Sequence, residues 1–470
     1  MKLESFHEED NKKRFIIVFT VLCIALVVGV FLYHSYAWYE DEKTFNSFSG
    51  NVNPVGDIYF AVYVNNVASE NVPAKDTGYN FDHAECTNSA SLTWDNTTWS
   101  AKVNNLTSTR TKCTLYFVED SSASSVIARL AGNANSTSTE VIDNGTVYDT
   151  DGTTELCTNT LAYDDYGNLR FVGANPCNYV TFNGETAGWR IIGVIDGKVK
   201  LIRNEAIGSY SLDTSASGVN NGYGINQWGE SGTYTGADLM KLLNPGFDTN
   251  LAEDSSGNAI TGTYVNNSLY WNKQSGNCYN GRRNAYTTCD FTSTGLTSEA
   301  KNMLAYSTWH LGSNDGTTYT YDNIKASKFY ELERSTNTGK ICTSGTSCND
   351  SIERTTTWEG YIGLMSPSDY GYAVGGSVRT TCLSKNLYNY GTDNCMSNDW
   401  LHNGTNQWTM SPAANSDTAR YVFGLYDLGH VSYSIANLDY ASRPALNLKS
   451  TVKISGGSGT STNPYTLSIS

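Results

Sequence analysis

NYVTFNGETAGWRIIGVIDGKVKLIR, residues 178–203, holds three apolar, β-branched runs close together: NYVTF (178–182), WRIIGVI (189–195) and KVKLIR (198–203). Such runs are strand candidates. The same kind of run recurs toward the C-terminus as YIGLM (361–365), YVFGLY (421–426) and PALNLK (444–449). Three segments read as helices: GADLMKLLN (236–244), TSEAKNMLAYS (297–307) and NIKASKFYELER (323–334). In the last, Ile324, Phe329 and Leu332 form an irregular apolar stripe. Long Gly-, Asn-, Ser- and Tyr-rich loops separate these elements. Residues 148–470 are therefore expected to form an α+β domain rich in loops, with a twisted antiparallel sheet and a few helices.

Upstream of that domain, residues 121–147 are rich in Ser, Asn and Thr and read as a linker, with a helical turn or two at VIARLAG (126–132). Residues 38–120 carry DIYFAVYV (57–64), SLTWDNTTW (91–99), SAKVNNL (100–106) and CTLYFV (113–118). Period-two patterning broken by Asn, Gly and Asp predicts a small antiparallel β-sandwich. Before it, FIIVFTVLCIALVVGVFLY, Phe15 to Tyr33, is nineteen residues without a charge. As a helix it covers about 28 Å, against a bilayer hydrocarbon core of about 30 Å. Lys12, Lys13 and Arg14 precede it, and Glu40, Asp41 and Glu42 follow. The positive-inside rule then places residues 1–14 in the cytoplasm and the bulk of the chain outside. Ser35-Tyr36-Ala37 puts small residues at the −3 and −1 positions of a cleavage site after Ala37. Phe15–Tyr33 is accordingly either a transmembrane helix, making a single-pass cell-surface protein, or a discarded leader that releases a secreted one.

The formal charge of −15 on 470 residues argues against nucleic acid as a partner, since phosphate binding needs a basic face. Aromatic residues at 12% argue against disorder. Cys23 lies inside the apolar run; ten cysteines follow it, an even set that suits an oxidising compartment. They fall into neighbouring couples, and sequential pairing is expected: Cys86 with Cys113, Cys157 with Cys177, Cys278 with Cys289, Cys342 with Cys348, and Cys382 with Cys395. Free thiols are the alternative.

Two resemblances enter here. The segment YHSYAWYEDEKTFNSFSGNV (33–52) resembles the processing region of camelysin-type and biofilm-fibre precursors, which implies cleavage after Ala37. GWRIIGV (188–194), GADLMKLLNPG (236–246), SKFYELERSTNTGKIC (327–342), GLMSPSDYGYA (363–373), WTMSP (408–412) and RPALNLKSTVKISGGSGTSTNPYTL (443–467) together resemble the C-type-lectin-like domains of surface proteins in gut Gram-positive bacteria. That resemblance implies a fold and a surface address for residues 148–470, with no settled activity. More distant relatives of the fold are the formylglycine-generating enzymes and the variable proteins diversified by retroelements.

Catalytic motifs are missing from the sequence: no HExxH, CxxC, GxSxG, P-loop or complete dinucleotide fingerprint occurs. The glycines of NNGYGINQWG (220–229) are wrongly spaced for the last of these. Asp149-Thr150-Asp151-Gly152 lacks the full calcium-loop ligand spacing and reads as a tight turn. Asn398-Asp399-Trp400 meets the animal-lectin calcium motif only by strain. His7, His34, His83, His310, His402 and His430 show no helical i, i+4 pairing for metal. No metal, cofactor or catalytic residue is expected. The redox cysteine pair of formylglycine-generating enzymes has no counterpart after Trp408, so an oxidase of that type is the weakest of three readings. A secreted matrix-fibre subunit is the second. The first is a binding or adhesion protein for an extracellular protein or glycan. Between Cys382 and Arg443, Tyr, Asn, Ser, Asp and Gly dominate, the residue chemistry of adaptable binding surfaces. Expected exposed contact residues are Asn415, Asp417, Tyr426, Asp427, His430, Tyr433, Asn437, Asp439 and Tyr440. In YVFGLY the alternation of Tyr421, Phe423 and Leu425 with Val422, Gly424 and Tyr426 predicts that one face alone is core.

Overall fold

A computed structural model describes residues 58–75, 77–106, 110–132, 137–214, 224–229, 236–244, 271–273, 275–279, 286–312, 314, 320–335, 355–413 and 420–469. Among them no helix is long and apolar enough to cross a membrane, and Phe15–Tyr33 lies outside the described residues. The chain divides into two units, Met1–Asn71 with Phe81–Phe117, and Val72–Asn80 with Val118–Ser470.

In the first unit, Asn65 and Asn66 both adopt positive φ and turn the strand Ile58–Val64 back onto Val67–Ser69. The same first strand runs parallel to Thr111–Glu119, so the expected purely antiparallel arrangement is corrected to a mixed sheet. A period of two reports which face a residue takes and is blind to strand direction. Tyr79–Cys86 closes this four-stranded sheet, and Ser91–Asp95 with Ser100–Asn104 forms a separate hairpin. Phe81 and Phe117 of the sheet meet Trp94 of the hairpin at ring distances of 5.2 Å each, one stacked and one edge-on. These rings are the apolar filling of a small two-sheet sandwich, and the Cys86–Cys113 disulfide ties its strands.

The second unit is built on the stretch 178–203. Asn183-Gly184 and Asp196-Gly197 all have positive φ, the backbone of two-residue hairpin turns that match strand twist. They fold Tyr179–Phe182, Glu185–Ile195 and Lys198–Arg203 into a meander at the centre of a ten-stranded sheet. Trp189, Ile191, Leu201 and Ile202 are fully buried there. The last strand, Tyr465–Ile469, returns to pair in parallel with Tyr179–Phe182, again a departure from the all-antiparallel expectation. Gly193 lets the short strand Leu169–Phe171 cross close by: a Cβ at 193 would lie 2.1 Å from the Leu169 carbonyl oxygen.

The expected linker is part of this unit. The helix Ala123–Ala131 buries Ala123, Ile127 and Ala131 in the main core, and Ile142–Tyr148 pairs with Glu155–Tyr163 at the sheet margin. VIARLAG thus forms the one or two turns expected, and the helix begins three residues earlier, at Ala123, with its apolar stripe on the sheet. Ser122 caps the helix, its Oγ accepting from the Ser125 backbone N–H. Ser122→Ala is expected to lower stability by about 1 kcal/mol, read from the urea midpoint.

The three expected helices appear as Asp238–Leu243, Ser298–Met303 and Ala326–Glu333. A five-stranded sheet forms from Ser209–Ser211, Asp439–Ala441, Gln407–Pro412, Tyr421–Leu425 and Val431–Ile435, in that order. Tyr421–Leu425 is buried on both faces: Val422 is 1% exposed and Phe423 and Leu425 are 0%. The single core face expected for YVFGLY is therefore wrong, because Phe329 from the helix Ala326–Glu333 packs edge-on against Phe423. Cys157–Cys177 and Cys382–Cys395 are disulfides as expected. In the hairpin Ser275–Tyr279/Tyr286–Asp290, Cys278 is opposite Thr287 and Cys289 opposite Gly276; these two side chains, with Cys342 and Cys348, lie outside the described residues.

Candidate functional site

Two regions of the second unit carry chemistry. The first is a face of aromatic rings on the five-stranded sheet. The loop joining Tyr421–Leu425 to Val431–Ile435 is closed by two backbone bonds, Tyr426 N–H to the His430 carbonyl and Gly429 N–H to the Tyr426 carbonyl, both 2.9 Å. Gly429 has φ +77°, and a Cβ there would lie 2.4 Å from the Met396 Cβ, so the turn requires glycine. The His430 ring lies flat on Tyr426 at 4.7 Å and meets Tyr388 at 5.8 Å. Tyr388 meets Tyr321, Tyr321 meets Tyr433, and Tyr433 meets Tyr421, at 4.7–5.3 Å. On the other side Tyr426 approaches Tyr440, which stacks on the buried Trp408 at 4.5 Å. Hydroxyls tie the array together. Tyr426 Oη donates to the Tyr433 carbonyl at 2.9 Å, and Ser434 Oγ lies 2.9 Å from Tyr426 Oη and 2.7 Å from Tyr440 Oη.

Of the expected contact residues, Tyr426, His430, Tyr433 and Tyr440 join this array, half-buried rather than exposed. Asp427 is exposed on the loop, beside Leu428 at 66%. Asn437 and Asp439 stand apart: the Ser211 hydroxyl reaches the Asn437 carbonyl and the Asp439 carboxylate, on the opposite side of the strand from Tyr440. Asn415 and Asp417 lie outside the described residues. Tyr321, Tyr388 and Trp408 were not anticipated. Tyr388 and Trp408 lie within the Cys382–Arg443 stretch but were not singled out there, and Tyr321 comes from a segment outside it. Burial holds the His430 imidazole below its usual range against the pull of Asp427, so the ring is neutral at pH 7.

The second region is a cleft lined by Asp196, Lys198 and Lys200 of the central hairpin, Trp309 and His310, Glu333 and Arg334, and Ser366, Ser368 and Asp369. Beneath it runs a buried ionic chain. Arg170 Nε donates to Asp164 at 2.8 Å and its Nη1 to Asp369 at 3.0 Å; Lys200 Nζ reaches the other Asp369 oxygen at 2.5 Å. Asp369 also receives the Ser366 N–H, closing a capping box on the helix Pro367–Tyr372. Glu333 is buried at the end of its helix and accepts from Ser368 N–H and Oγ at 3.0 and 2.5 Å. Burial pushes its carboxyl up to about 7, with Arg334 and Ser368 opposing. Asp196 accepts from Tyr330 Oη and Arg334 Nη2, and burial of its carboxyl is outweighed by Arg334, which holds it low. Nothing in the local sequence marks these residues as a group, because they come from five separated elements.

Asp149–Gly152 is the tight turn expected, with the Asp151 carboxylate taken up by Thr153 and Thr154. Asp399 is buried in the core with Leu401 N–H on one oxygen, so Asn398-Asp399-Trp400 plays a packing role. Among the described residues no group of three or more His, Cys, Asp or Glu is placed to hold a metal. Comparison of the chain with protein-family models, curated proteins and solved structures finds no match.

Proposed function

We propose that this protein is a cell-surface binding protein whose second unit presents the Tyr388–His430–Tyr426 face to an extracellular protein or glycan. The observation that carries the reading is the continuous ring array. Large rigid rings with few rotamers, fixed by the Tyr426–His430 loop, offer contact area at small entropic cost. Leu428 and Tyr388 stand out from it, 66% and 39% exposed. The lectin-like resemblance of residues 148–470 and the apolar run Phe15–Tyr33 support display outside the cell, whether anchored or released after Ala37.

A glycan and protein array probed with the full chain is expected to return a ligand. Tyr388→Ala and Leu428→Ser are each expected to weaken that ligand at least about tenfold, the effect of losing a packed aromatic or apolar contact of about 1.4 kcal/mol. Unchanged affinity in both variants would remove this face from the reading.

A further inference from the structure

The ionic cleft has an imbalance that the aromatic face does not share. Its carboxylates are taken: Asp369 by Lys200, Arg170 and Ser366, Asp196 by Arg334 and Tyr330, Glu333 by Ser368. Its donors are not exhausted. Lys198 makes no ion pair among the described residues, and Arg334 Nη1 stays 3.8 Å from Glu333, beyond hydrogen-bond reach. His310 Nε2 lies 3.9 Å from Asp196. The Arg334 guanidinium is held flat on Tyr330 at 3.5 Å, which fixes its fork without using its remaining N–H groups. On a chain of net charge −15, this is a pocket with spare cationic donors.

We infer that the cleft bounded by Asp196–Lys200, His310, Glu333–Arg334 and Ser366–Asp369 is a second binding site, separate from the aromatic face, that takes a small ligand through its carboxylate. Arg334 and Lys198 supply the charge, and Glu333 supplies a proton. The groups about Glu333 are Arg334 next in the chain, Asp369 from the helix Pro367–Tyr372, Asp196, Lys198 and Lys200 from the central hairpin, and His310 from the strand Ser307–His310. A carboxylate entering beside a buried carboxyl that titrates near neutrality forces the two to share a proton, because like charges in low dielectric repel. Binding therefore takes up a proton, and affinity rises as the pH falls from 8 to 6. Two sources present such a group, an acidic sugar and a peptide C-terminus.

Trp309 lines the cleft, so fluorescence of the full chain is a usable readout. Titration with glucuronate and with a free tri-alanine peptide is compared with glucose and the amidated peptide. Saturable quenching by at least one carboxylate, tighter at pH 6 than at pH 8 by up to about tenfold, is the expected result, and which one saturates identifies the source. Glu333→Gln is expected to keep binding and flatten its pH dependence. Arg334→Gln is expected to abolish it in a chain that circular dichroism shows to be folded, a check needed because Arg334 also pairs with Asp196 and stacks on Tyr330. Absence of saturation with both carboxylates, equal response to the neutral controls, or pH-independent affinity in the unmodified chain would each overturn the assignment. The aromatic-face variants Tyr388→Ala and Leu428→Ser leave this titration unchanged, so failure of either site is read separately.

Discussion

Arg170→Met is expected to lower the unfolding free energy by about 3–5 kcal/mol, seen as a shifted urea midpoint. Arg170 is 1% exposed and bridges two carboxylates, Asp164 and Asp369, that are equally shut from water. Removing it leaves Asp164 buried with no cation, a desolvation cost that no rearrangement of the surrounding sheet can relieve. Lys200 still neutralises Asp369 on its other oxygen, which is why the loss stays short of two orphaned charges. Arg170→Lys is expected to recover less than half, since an ammonium cannot reach both acids with the guanidinium's fork. A loss under about 1 kcal/mol for Arg170→Met would mean the chain of charges is not a buried unit. The same unit sets an acid limit. Burial pushes the Asp369 carboxyl up, but Lys200 and Arg170 outweigh it and hold the group well below its ordinary 3.8. With the folded value depressed, its stabilisation is complete above about pH 4 and is lost as the pH falls toward the depressed value.

Trp408→Ala is expected to cost about 3–5 kcal/mol, as large aromatic truncations in a packed core do. Trp408 is 1% exposed, its Nε1 donates to the Tyr210 carbonyl at 2.9 Å, and one ring face carries Tyr440. The cavity left would free Tyr440, and with it the hydroxyl chain through Ser434 to Tyr426. The variant is thus expected to lose ligand affinity at the aromatic face as well as stability, under conditions where it remains folded by circular dichroism. Trp408→Phe separates the two effects: it keeps stacking and loses the indole hydrogen bond. A variant that binds as before while unfolding earlier would show that the ring array does not depend on its buried end.

Much of the fold is legible in the sequence. WRIIGVI and KVKLIR are strands because their β-branched runs are bounded by Asp196-Gly197, and GADLMKLLN is a helix because its apolar residues recur on one side. The disulfide couples that can be seen join cysteines close in sequence, where loop closure costs little. The aromatic face was half legible: the Tyr-rich segment between Cys382 and Arg443 announced Tyr426, Tyr433 and Tyr440 and also holds Tyr388, while Tyr321 reached them from outside it.

By itself, then, the sequence determined which segments are extended, which coil and where tight turns fall, because these follow from neighbours within a few residues. Tertiary structure alone decided what depends on distant partners. It made Ile58–Val64 and Thr111–Glu119 parallel, drew the Ser-rich segment at 123–131 into the core, and buried both faces of Tyr421–Leu425. It also gathered Arg170, Lys200, Glu333 and Asp369 from four elements. A charged residue carries no local sign that it will be buried; only the arrival of an opposite charge, here up to 199 residues away, makes its burial tolerable.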